Sequence, residues 1–99
     1  MSILLLFALS TSPVTDLPQE VSSFVAERDA CDHFRGEPIE GDSKDQKDRR
    51  AFVLNSLEIY CSGTDRRLAA LKARYSSNPA VMAALGKYDP AIEGPRCGP

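Results

Sequence analysis

The sequence predicts an all-α protein, a small antiparallel bundle of about four helices with a disulfide joining the first two. Three observations predict it. Apolar residues recur every three or four positions in four separate stretches, and each stretch is bracketed by helix start and stop signals. No segment shows the sustained period-two alternation of a half-buried strand. Two cysteines, Cys31 and Cys61, fall near the ends of the first two stretches. With 99 residues the chain allows one domain. A domain of that size buries only about two-thirds of its unfolded surface, so a covalent staple would matter to its stability.

The helices follow in chain order. Asp16 and Gln19 have the spacing of a capping box, and Pro18 is tolerated in a first turn. Val21, Phe24, Val25, Cys31 and Phe34 then recur at helical spacing, and Gly36 is a natural stop. The stretch "GEPIEGDSKDQ" reads as a loop because two glycines, a proline and alternating charges interrupt any apolar period. A second helix is expected from about Asp45 to Ser62, with Gly63 as its C-terminal signal. Val53, Leu54, Leu57, Tyr60 and Cys61 lie on one side of it, with Phe52 and Ile59 on the other. A helix apolar on two sides is expected at the centre of its bundle. Thr64 reads as the N-cap of a third helix with Leu68, Leu71 and Tyr75 as its stripe. Asn78-Pro79 opens a fourth, in which Val81, Met82, Leu85 and Tyr88 form a stripe that ends at Asp89-Pro90.

The chain divides into three parts. Residues 1–12 contain the apolar run "ILLLFAL", with Ala8 and Ser10 at the spacing a signal peptidase prefers. No Lys or Arg precedes the run, so it is read as a clipped signal peptide. Residues 13–92 form the helical domain, and residues 93–99, "EGPRCGP", read as a disordered tail. Export agrees with the cysteines, since Cys31 and Cys61 would bridge in an oxidising compartment, leaving Cys97 over. The expected location is therefore periplasmic or secreted.

The stretch "RDACDHFRGEPIEG" concentrates the chemistry of the chain. Placed on a helix at 100° per residue, Cys31 sits beside Phe24 on the packed side. Arg28 and Arg35 fall in or beside that stripe and Asp32 flanks it. Asp29 and His33 point toward the opposite face, where they would form an i,i+4 surface pair. Arg28, Asp32, Arg35 and Arg50 are therefore expected to form a partly buried polar network between helices one and two. A metal reading exists as well: Asp29, His33 and Glu37 repeat every four residues. One histidine with two carboxylates is a weak ligand set beside a two-histidine motif, and Gly36 would end the helix before Glu37. No metal or other cofactor is expected.

Several classes of function are disfavoured. A net charge of −2 argues against a nucleic-acid surface, which is normally a basic patch. Arg66, Arg67, Lys72 and Arg74 spread around their helix and read as a solvated face. The segment "DSKDQKD" lacks the order of a calcium loop. There is no Gly-rich phosphate loop and no G-x-S-x-G. Nothing is long enough for a resident transmembrane helix.

The combination "ACDHFRGE", an acidic loop, "LEIYCSGTDRRLAAL" and "NPAV" resembles small exported, uncharacterised all-helical proteins of Gram-negative bacteria. The resemblance implies a periplasmic location and brings no catalytic residues with it. Taken together, these readings lead to an expected non-enzymatic interaction protein of the inhibitor, immunity or envelope-accessory type. It would bind a partner protein through Glu37, Ile39, Glu40 and Asp42 of the acidic loop and an adjoining helix surface. The competing expectation is a small metal-binding protein or hydrolase using His33 with its neighbouring carboxylates.

Overall fold

In a computed structural model, residues 17–94 are described, and every regular element among them is helical. The order is α1 (Gln19–Arg35), α2 (Lys44–Cys61), α3 (Thr64–Arg74) and α4 (Pro79–Leu85). The expected signal peptide, Asp16 and Cys97 lie outside the described residues.

Local chemistry explains each boundary. The carbonyl of Pro18 accepts from the backbone N–H of Val21 and Ser22, and the Gln19 side chain donates to Ser23 within the helix. Gly36 closes α1 as expected. Ser43, rather than Asp45, starts α2: its hydroxyl accepts from Gln46 N–H while the Gln46 side chain reaches back to Ser43 N–H, a complete capping box. Gly63 stands between α2 and α3 at φ 77°, a left-handed conformation that glycine adopts without steric cost. Thr64 is thus the first residue of α3 and not its cap, and its side chain is buried. Asn78 caps α4 and Pro79 follows, as the sequence predicts. The helix ends at Leu85, so Tyr88 joins the core from the turn beyond it.

The core gathers Val21 and Phe24 of α1, Leu68 and Leu71 of α3, Val81 and Leu85 of α4, and Tyr88. Burying a side chain such as Phe24 or Leu68 stabilises by about 1.5–3 kcal/mol. The rings of Phe24 and Tyr88 meet edge-on at 6.0 Å. These members come from α1, α3, α4 and the turn after α4. The helix expected at the centre, α2, instead lies to one side against α1 and fully buries only Val53 and Ser56. Its two-sided apolar pattern has a different cause: one side packs on α1, and Phe52, Leu54 and Ile59 remain exposed.

What fixes α2 is its contact with the C-terminal half of α1. Cys31 and Cys61 form a disulfide with Cα atoms 5.0 Å apart. One turn on, Phe34 stacks on Tyr60 at 6.0 Å and meets Phe52 edge-on at 5.7 Å. At the start of the loop that follows α1, Glu37 pairs with Arg49 of α2. The partners step backward along the chain as α1 is followed, from Arg28 with Thr64 through Cys31 with Cys61 to Glu37 with Arg49.

Candidate functional site

Two clusters of polar or exposed side chains stand out, one inside the domain and one on its surface. The inner one centres on Arg28. The buried stripe of α1 is Val21, Phe24, Arg28 and Cys31, so an arginine takes a position where helical spacing calls for an apolar residue. Its side chain is 1% exposed. Nε donates to Asp32 Oδ1 at 3.0 Å, one terminal nitrogen donates to the Thr64 hydroxyl at 3.4 Å, and the other donates to the Asp89 carbonyl at 2.8 Å. The guanidinium lies over the Tyr88 ring, 5.3 Å from its centroid. Asp32 also accepts from Arg35 at 3.0 Å. Three of the four residues expected in a network are therefore together. Their network ties α1 to the start of α3 and to the segment after α4, rather than to α2.

Arg50, the fourth, is elsewhere because it holds the loop. It donates to the carbonyls of Ile39 and Gly41, both at 3.0 Å. Asp29 and His33 also part company. Asp29 accepts from the Tyr88 hydroxyl at 2.7 Å, and His33 sits 3.6 Å from Glu37, whose other oxygen is taken by Arg49. Asp29, His33 and Glu37 therefore do not converge. Among the described residues, no group of three or more His, Cys, Asp or Glu could hold a metal ion. Burial, together with the hydrogen bond to Asp29, raises the Tyr88 phenol well above its ordinary value, so this residue stays neutral and serves as a donor.

Glu93, assigned by composition to the tail, takes a fixed place. Its carboxylate accepts from the N–H groups of Gly63 at 3.0 Å and Asp65 at 2.8 Å. Asp65 in turn accepts from the N–H groups of Ile92 and Glu93, both at 3.0 Å. A carboxylate from a remote segment thus satisfies two of the free donors at the start of α3.

On the outer surface, Glu20 of α1 accepts from the Tyr75 hydroxyl and from Arg74, which hold its carboxyl below the ordinary range. The same contacts raise Arg74 and Tyr75. Arg67 pairs with Glu27 at 2.5 Å and covers the Phe24 ring. Between these pairs runs an open groove of about 180 Å³ lined by Glu20, Arg67, Ala70, Leu71 and Arg74. It is smaller than the roughly 300–1,000 Å³ that encloses a small-molecule ligand, and Glu20 and Glu27 already neutralise its two arginines.

The surface cluster is the outer side of α2 with the loop before it. Phe52 is 58% exposed, Ile59 62%, Leu54 49% and Ile39 37%. Of the loop acids expected to meet a partner, Glu40 and Asp42 are exposed, while Glu37 is engaged by Arg49 and His33. The sequence placed a contact surface at the loop but did not single out Phe52 and Ile59, whose seven-residue spacing on the second apolar side of α2 was the available signal. No helix among the described residues is long and apolar enough to cross a membrane. The chain matches no protein-family model, no curated protein and no solved structure.

Proposed function

We propose that this chain is a small exported interaction protein, an antiparallel helical scaffold that holds one helix face against a partner protein. The observation that supports it best is the state of α2. α2 is fastened to α1 by a disulfide and by the contacts of Phe34 with Tyr60 and Phe52, and it still exposes Ile59 and about half of the Phe52 and Leu54 side chains to solvent. Exposed apolar groups gathered on one rigid element are a recognised mark of an interaction surface. The loop beside them adds Ile39 and the unpaired carboxylates of Glu40 and Asp42, whose charge would speed capture of a basic partner. The Cys31–Cys61 bridge suits an oxidising compartment such as the periplasm.

The test is photocrosslinking in a periplasmic extract. A benzophenone side chain placed at position 52 should yield an adduct of one defined mass, and the same group at Lys72 on α3 should not. Replacing Glu40 and Asp42 by lysine should lower the yield and flatten its dependence on salt. Glu37 is left intact, because changing it also breaks its pairs with Arg49 and His33. Equal, unselective labelling from both positions would rule the function out.

A further inference from the structure

The segment that follows Tyr88 is held at both ends by chemistry that another peptide could supply. Asp89, Pro90 and Ala91 are exposed, Ile92 and Glu93 are half-buried, and none of the five belongs to the buried core. Hydrogen bonds fasten the segment to one corner, where α1 meets the start of α3. Arg28 donates to the Asp89 carbonyl at 2.8 Å. Asp65 accepts from the N–H groups of Ile92 and Glu93, both at 3.0 Å. The Glu93 carboxylate accepts in return from Gly63 N–H at 3.0 Å and Asp65 N–H at 2.8 Å. Asp65 and Glu93 thus each offer the other a backbone donor and a carboxylate, although 28 residues separate them.

Because the core ends at Tyr88, the segment can lift away and leave the core packed. Its partners would then share one opening, since Thr64, between Gly63 and Asp65, also accepts from Arg28 at 3.4 Å. The opened corner presents a guanidinium N–H and two backbone N–H groups as donors, with one carboxylate as acceptor. That carboxylate, on Asp65, repels a bare anion such as acetate or phosphate. A peptide satisfies both demands, because an acidic residue brings a carboxylate together with its own N–H and that of the residue before it. We propose that this corner is a binding site for an acidic peptide segment, and that residues 89–93 are a strap occupying it within the chain. A strap tethered to its site competes at an effective concentration of roughly millimolar, so an outside peptide enters only when the strap is released.

The test uses the full chain with Ile92→Pro and Glu93→Ala, which remove one backbone donor and the carboxylate of the strap, followed by amide NMR. The probe is the blocked peptide acetyl-DPAIEG-amide; the controls are the same peptide with glutamine for glutamate, and acetate alone. The Gly63 and Asp65 amides of the variant should shift saturably with the acidic peptide, which should bind about tenfold or more tightly than either control. The wild-type chain should bind that peptide about tenfold or more weakly than the variant does. Should the variant lose its helical circular dichroism, Glu93→Ala alone takes its place under the same criteria. Absent shifts, equal binding of the glutamine peptide or of acetate, or equal binding by the wild type would each overturn the proposal. So would a wild-type dimer in sedimentation velocity that Glu93→Ala abolishes, because the strap would then serve a second copy.

Discussion

Removing the disulfide should release α2 and leave the rest of the domain folded. The perturbation is Cys31→Ala with Cys61→Ala, in a background carrying Cys97→Ser so that thiols cannot exchange. For a sequence separation of 30, the chain-entropy relation gives about 3.6 kcal/mol of lost constraint. Domains of this class have a total stability of about 5–15 kcal/mol, so the loss is large. It falls unevenly, because α2 fully buries only Val53 and Ser56, whereas the core residues come from α1, α3, α4 and Tyr88. The element with the least buried surface opens first. Hydrogen exchange should therefore show amides of residues 48–61 losing most of their protection, while those of Leu68, Leu71 and Val81 retain most of theirs. Urea unfolding followed by far-UV circular dichroism should broaden or split, since two-state behaviour no longer holds. A single sharp transition with equal loss of protection in α2 and α3 would refute the reasoning, and so would an α2 that stays protected without its staple.

Three further outcomes are expected. Arg28→Met keeps an apolar stem but strands the Thr64 hydroxyl and the Asp89 carbonyl; Asp32, partly exposed and still held by Arg35, moderates the loss to about 2–3 kcal/mol. Thermal melting should fall by about 10–20 °C, against a change within about 0.5 kcal/mol for Arg35→Met, and a fall no larger than that of Arg35→Met would show that Arg28 is not a hub. Glu93→Ala should cost about 1–2 kcal/mol by uncapping α3, with faster exchange at the Gly63 and Asp65 amides as its signature. The Glu20 carboxyl is held below its ordinary 4.5 by Tyr75 and Arg74, so its contribution is present above that value and is lost as pH falls through the lowered one. The difference in melting temperature between the wild type and Glu20→Gln should close on acidification below pH 4.5; a gap independent of pH would exclude the assignment.

The sequence made the helices legible because their punctuation is local. Gly36, Gly63 and Asn78-Pro79 act within a turn of where they stand, and they mark boundaries whatever the rest of the chain does. Ser43 and Gln46 were just as readable, and the charges of "DSKDQKD" masked them. The placement of α2 was not legible, because periodicity reports which side of a helix is apolar and not which side finds a neighbour. Arg28 was recognisable as a packed arginine from its stripe, but its partners Thr64 and Asp89 lie 36 and 61 residues away, beyond any local pattern. Arg50 shows the opposite error. It was expected in one network with Arg28, yet the carbonyls of a nearby loop claim it. Asp29 and His33 separated for a similar reason, since Tyr88 offers a stronger hydrogen bond than an exposed i,i+4 pair.

The position of α2 also bears on how such a protein can diversify. Substitutions at 51, 54, 55 and 59 alter exposed side chains, so they are largely invisible to folding, whereas Phe52 also packs on Phe34. The staple and the residues facing α1 keep the helix in register while its outer side changes. A library randomised at those four positions should yield mostly folded members, so under the proposed interaction function the contact surface could change with little penalty in stability.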